Sequence, residues 1–133
     1  MSLFVWNSYF NVGIQEIDDQ HKILVNYLNE LFEAMKTGEG FQKLEKIFNG
    51  LIDYTVTHFS LENEYMRKFA YPEMSVHMEE HQLFIEEIEK FQEDFKNKKI
   101  SLSSDVMNYL KDWLQKHIMQ TDKKLGIFLK GKV

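Results

Sequence analysis

Seven side chains in this sequence could bind metal together. Five are the histidines His21, His58, His77, His81 and His117, and two are the carboxylates Glu62 and Asp122. A helix advances about 100° per residue, so each histidine can be set against the apolar stripe of its own segment. His21 falls near Leu24, Val25, Leu28 and Phe32, and His58 near Leu51, Tyr54 and Tyr65. His77 and His81 fall near Phe84, Ile88 and Phe95, and His117 near Val106, Leu110 and Trp113. A lone inward histidine is ordinarily a hydrogen-bonded core residue. Five of them in a Phe-rich interior are costly to bury without partners. A metal ion satisfies many converging nitrogens at once.

The spacings sharpen this. Glu62 follows His58 by four residues and His81 follows His77 by four, so each pair shares a helix face. Asp122 follows His117 by five, which lies about 140° from the ideal face. It reaches the site only if the fourth helix ends or distorts there, for instance through a π-bulge. Seven ligands for two octahedral-type metals leave room for a bridging oxygen and an exogenous ligand. Nitrogen and oxygen donors without sulfur suit iron, manganese or zinc.

Long helices must position these groups, and the apolar pattern predicts them. A first helix at about 19–37 carries Leu24, Val25, Leu28, Phe32 and Met35, with Asp18 as its N-cap and Gly38 at its stop. A second, at about 41–69, carries Leu44, Ile47, Leu51, Tyr54 and Tyr65, and Gly50 inside it marks a close packing contact. Pro72 suits the first position of a third helix at about 72–96, with Met74, Phe84, Ile88, Phe91 and Phe95 inward. Ser101 to Ser104 can cap a fourth at about 102–121, after a solvated Lys96 to Lys99 connection. Residues 1–18, with Phe4, Trp6, Tyr9 and Phe10, read as an arm over the bundle, and 122–133 as a short closing segment. The expected fold is all-α, an antiparallel up-down four-helix bundle forming one domain over 1–133.

Composition narrows the function. The chain has 133 residues, no cysteine and a net charge of −5. The missing thiols exclude disulfides, zinc fingers and iron–sulfur clusters, and the acidic balance argues against nucleic acid. The longest apolar run is Leu3 to Trp6, far short of the roughly 20 residues of a membrane span. No secretory signal is recognisable, so a cytoplasmic location is expected.

The ordered set His21, His58-x-x-x-Glu62, His77-x-x-x-His81 and His117-x-x-x-x-Asp122 resembles the hemerythrin family. The similarity extends to Asp18-Asp19-Gln20-His21-Lys22, the Val5-Trp6 arm and the closing Lys130-Gly131-Lys132. The five-residue spacing is the family's own. The resemblance implies two non-haem irons, one held by His77, His81 and His117 and the other by His21 and His58. Glu62 and Asp122 would bridge them together with an oxo or hydroxo group. It further implies reversible O2 binding, as hydroperoxide, at the open position of the iron with two histidines. Leu24, Phe59, Trp113, Leu114 and Ile118 resemble the family's oxygen-pocket positions. Such a protein is an O2 carrier or store rather than an enzyme, delivering to an oxygen-consuming protein, and could act as a monomer.

The charges are consistent with that implication. Two Fe²⁺, two carboxylates and a hydroxide sum to about +1, a charge a buried site can tolerate. Neutral imidazole ligation supplies less negative charge than a carboxylate-rich site, which favours holding O2 over activating it. Ferritin-like sites use Glu-x-x-His pairs instead, and no histidine here has a Glu three residues before it. Other readings stay open. His77-Met78-Glu79-Glu80-His81 fits the H-x-x-E-H pattern of inverted zinc peptidases, with Glu80 as general base. Sensor, nitric-oxide and iron-handling roles also occur within the resemblance. A sensor should carry a signalling domain, for which 133 residues leave no space.

Overall fold

The apolar stripes lie along α1 (Gln15–Lys36), α2 (Phe41–Lys68), α3 (Met74–Lys96) and α4 (Ser104–Lys116). The last of these continues through a six-residue π turn, His117–Asp122, into α5 (Lys123–Leu129). This computed structural model describes residues 4–39, 41–97 and 104–133, and no strand occurs among them. α1 packs on α2 and α4, and α2 on α3. Phe84 and Trp113 stack at 3.7 Å between α3 and α4. The architecture is the expected antiparallel four-helix bundle.

Local chemistry explains where the helices stop. α1 ends in a Schellman turn, with Gly38 at φ +71, its N–H on Met35 O and the Glu39 N–H on Ala34 O. At Gly50 an added Cβ would lie 3.1 Å from Tyr27 Cε1, so the expected close contact is the α1–α2 crossing.

Several boundaries differ from the sequence reading. α1 begins at Gln15, so Asp18 is not its N-cap; the cap position is Ile14, which makes no side-chain bond. Asp18 instead lies buried in the first turn and reaches back along the chain. Its Oδ1 accepts the Val12 N–H at 2.7 Å and its Oδ2 the Gly13 N–H at 3.2 Å. A carboxylate is favoured there by the helix dipole. α3 begins at Met74, not Pro72, because Pro72 and Glu73 are used up in the turn, where Met74 N–H bonds Tyr71 O. The closing segment forms α5. The capping run 101–103 and Lys98 and Lys99 of the connection lie outside the described residues.

The arm crosses the bundle as expected, with Phe4 and Phe10 buried and Trp6 half-buried, but Tyr9 points outward, 74% exposed. Its start is pinned by Asn29, which accepts the Phe4 N–H at 2.9 Å and donates to Phe4 O at 2.8 Å.

The buried apolar residues form two clusters. The larger holds Leu24, Leu28, Phe48, Phe59, Phe84, Leu114 and Ile118 among others. The smaller holds Val12, Ile14, Ile17, Met66, Tyr71, Leu125 and Leu129. Along α1, α2 and α4–α5 the histidine and carboxylate positions fall between the two, so a polar layer crosses the interior.

Candidate metal centre

All seven expected side chains meet in that layer, each at most 2% exposed. α1 supplies His21, α2 His58 and Glu62, α3 His77 and His81, and the π turn His117 and Asp122. The π turn has a definite task. An i→i+5 winding returns residue 122 to the face of residue 117, which an α-helix would not do.

The carboxylate oxygens divide between two histidine groups. Glu62 Oε1 lies 3.1 Å from His77 Nε2, 3.0 Å from His81 Nε2 and 3.8 Å from His117 Nε2. Asp122 Oδ1 lies 3.2 Å from His77 Nε2 and 3.0 Å from His117 Nε2. The other two oxygens face His21 and His58: Glu62 Oε2 at 3.6 and 3.0 Å, Asp122 Oδ2 at 2.8 and 3.9 Å. Two groups could therefore each hold a cation, one with three histidines and one with two, sharing both carboxylates.

The protons fit this arrangement. His58 Nδ1–H donates to Gln20 Oε1 at 2.7 Å, and His117 Nδ1–H donates to Glu80 Oε1 at 2.7 Å. Each bond fixes the tautomer and turns the Nε2 lone pair inward. His58 Nε2 and Glu62 Oε2 are 3.0 Å apart, yet neither makes a hydrogen bond. Two acceptors at that distance call for a cation between them. Without metal, protons on the imidazoles supply the positive charge. Burial pulls His58 and His77 down, but Glu62 and Asp122 outweigh it and lift each to about 9. For both carboxyls burial acts upward, yet the surrounding imidazoles hold them well below the usual range. Burial keeps His81 below its ordinary value. The donor set thus fits two divalent metal ions.

Aromatic rings wall the layer. Phe59 stacks on His81 at 3.8 Å and Trp113 on His117 at 4.5 Å. Trp6 of the arm lies 6.5 Å from the His21 ring. Leu24, Phe59, Leu114 and Ile118 are buried and Trp113 is half-buried.

The Hemerythrin HHE cation binding domain family matches residues 12–127. The chain belongs to the hemerythrin family. It is 31% identical to the bacteriohemerythrin of Methylococcus capsulatus over 127 residues, 95% of this chain and 96% of that one. The myohemerythrin of Theromyzon tessulatum is 28% identical over 98% of this chain and 93% of that protein. A wild-type hemerythrin crystal structure superimposes with a TM-score of 0.93 at 30% identity, covering 98% of this chain and all of that one. Hemerythrin membership implies O2 binding at a non-haem di-iron centre rather than an enzymatic role. No helix among the described residues is long and apolar enough to cross a membrane.

Sequence reasoning did not find the groups behind the ligands. Glu80 fits the general-base position of the alternative zinc-peptidase pattern, but its carboxylate accepts the His117 Nδ1–H and the Thr121 hydroxyl. Gln20 stands beside His21 in the family-like segment, and that adjacency is the one signal that could have marked it.

Proposed function

We propose that this chain binds O2 reversibly at a pair of non-haem irons, as a carrier or store for an oxygen-consuming protein. His77, His81 and His117 would hold one iron and His21 and His58 the other. Glu62 and Asp122 would bridge them together with an oxo or hydroxo group. The observation that carries this is the division of each carboxylate, one oxygen toward three imidazoles and one toward two. The two-histidine side has one protein ligand fewer, which supports placing O2 there. Bound iron would supply the two electrons that take O2 to the peroxide level and recover them on release.

The chain's own residues would do the rest. Leu24, Phe59, Leu114 and Ile118 exclude water, and Trp113 closes the layer over His117. The five imidazoles keep the site less anionic than a carboxylate-rich one, which favours release over oxidation of a substrate.

The test is anaerobic reconstitution with Fe²⁺, followed by visible absorbance as O2 is added and removed. A charge-transfer band that appears and disappears over repeated cycles is expected. A band that forms once and decays to a stable diferric spectrum would point to oxidase or iron-handling chemistry. No band, with one zinc recovered per chain, would overturn the reading.

A further inference from the structure

The two histidine groups are backed differently. On the three-histidine side, His117 Nδ1–H donates to Glu80 Oε1 at 2.7 Å, and the Thr121 hydroxyl reaches both Glu80 oxygens at 2.8 and 2.9 Å. On the two-histidine side, His58 Nδ1–H donates at the same 2.7 Å to Gln20 Oε1, a neutral amide. The Nδ1 atoms of His21, His77 and His81 are buried and bond no protein group. Each side thus has one imidazole held from behind, one by an anion and one by a dipole.

We propose that Glu80 and Gln20 are positioning residues that make the two metal positions unequal, with the Glu80-backed three-histidine side the tighter one and the side that holds ferric charge first. This rests on the two-metal reading above. An anion accepting the Nδ1–H raises the basicity of the opposite nitrogen, and a charge-assisted bond is roughly twice as strong as a neutral one. Glu80 can keep its charge cheaply, because its side chain is 36% exposed while His117 is buried. It also accepts the Thr121 hydroxyl, but the bond that orients the ligand is the one from His117 Nδ1–H. Gln20 gives His58 the same orientation without the charge. The two-histidine position is then the weaker donor set, and in a one-electron-oxidised centre it is the iron that stays ferrous.

Co²⁺ alone, titrated into the full chain against a competing chelator, reads this without O2. Wild type should bind two ions in separate steps. Glu80→Gln keeps an acceptor oxygen for His117 and Thr121 but removes the charge. It should weaken the tighter step by about 10- to 100-fold and spare the other. Gln20→Glu should tighten the weaker step and narrow the gap, an independent check should the first variant fold poorly. Thr121→Val, which leaves the Glu80–His117 bond, should move neither step. A second readout uses the ⁵⁷Fe-loaded chain and one equivalent of ferricyanide, which takes one electron and becomes ferrocyanide. Wild type should show one ferric Mössbauer doublet, and the Glu80→Gln, Gln20→Glu double variant a ferric signal divided between two positions. Two wild-type steps left unmoved by both charge variants, or a Thr121→Val loss equal to that of Glu80→Gln, would overturn the inference and leave the two-metal reading standing. A single Co²⁺ per chain would overturn both.

Discussion

Removing the Asp18 carboxylate should loosen the arm at Val12 and Gly13 while leaving the bundle folded. Asp18 accepts the buried Val12 N–H at 2.7 Å and the exposed Gly13 N–H at 3.2 Å. A hydrogen bond to a charged group contributes about 1.5–3 kcal/mol, and a buried donor left without a partner costs about 1–3 kcal/mol. Gly13 regains water, so most of the loss falls on Val12, and Asp18→Ala should cost about 2–3 kcal/mol of local stability. At 1.4 kcal/mol per factor of ten, that opens the Val12 amide about 30- to 150-fold more often. Native-state hydrogen exchange of the metal-loaded protein reads it directly, under conditions where reclosing outpaces exchange. Asp18→Asn keeps one acceptor oxygen and should give an intermediate rate. The Phe4 amide, held by Asn29, serves as the internal control and should stay protected. An unchanged Val12 rate, or an equal acceleration throughout the helices, would show that Asp18 does not anchor the arm.

Three other perturbations test separate parts of the structure. At Gly126 an added Cβ would overlap the Val12 carbonyl oxygen, whereas at Gly50 it would meet only the end of the Tyr27 ring at 3.1 Å. Gly126→Ala should therefore lose about 1–3 kcal/mol in urea unfolding and Gly50→Ala under about 1 kcal/mol, and equal losses would count against the close arm–α5 approach. In the metal-free chain, His58 and His77 stand at about 9, above an unfolded value of about 6.5. Their stabilisation is present below about pH 6.5 and is lost as pH rises through about 9, so urea midpoints should fall across that window. With metal bound the sense reverses, since imidazoles must be unprotonated to ligate, and acid should release metal and lower the midpoint. Leu114 is 7% exposed, so Leu114→Asn admits a polar group beside the layer; it should speed conversion of the iron pair to the diferric form, followed by decay of the visible band.

What could be read from the sequence was whatever local periodicity dictates. Five histidines on apolar stripes implied one interior layer, and the His117 to Asp122 spacing implied that the helix ends or distorts there, because a regular helix would send that carboxylate sideways. What could not be read depends on the chain closing over long separations. Asp18 before an apolar run has the local form of a helix cap, and its bonds to Val12 and Gly13 exist only because the arm folds back. Glu80 sits inside a zinc-like pattern on its own helix, but its partner His117 lies in the π turn 37 residues away. Gln20 and His58 are 38 residues apart. The ligands share a face with their own helix's core; their supporting groups sit at the flanks, where sequence looks like ordinary polar surface.

The position of the layer has an energetic consequence. Apolar packing is interrupted between the larger cluster and the smaller one, and the gap is filled by two carboxylates and five imidazoles with almost no access to water. Two buried anions there are tolerable only with compensating positive charge. In the metal-free chain protons on imidazoles supply that charge, in line with the upward shift of His58, His77 and His117 beside the two carboxylates. Two metal ions would displace those protons and bind all four helices of the bundle through the same atoms. The small cluster, made by the arm, α5, the α2–α3 turn and the adjoining ends of α1 and α2, then meets the large one across this charged layer. Metal loss should accordingly loosen that end of the bundle first, with exchange at Leu125 and Leu129 rising before exchange at Leu28 and Phe48.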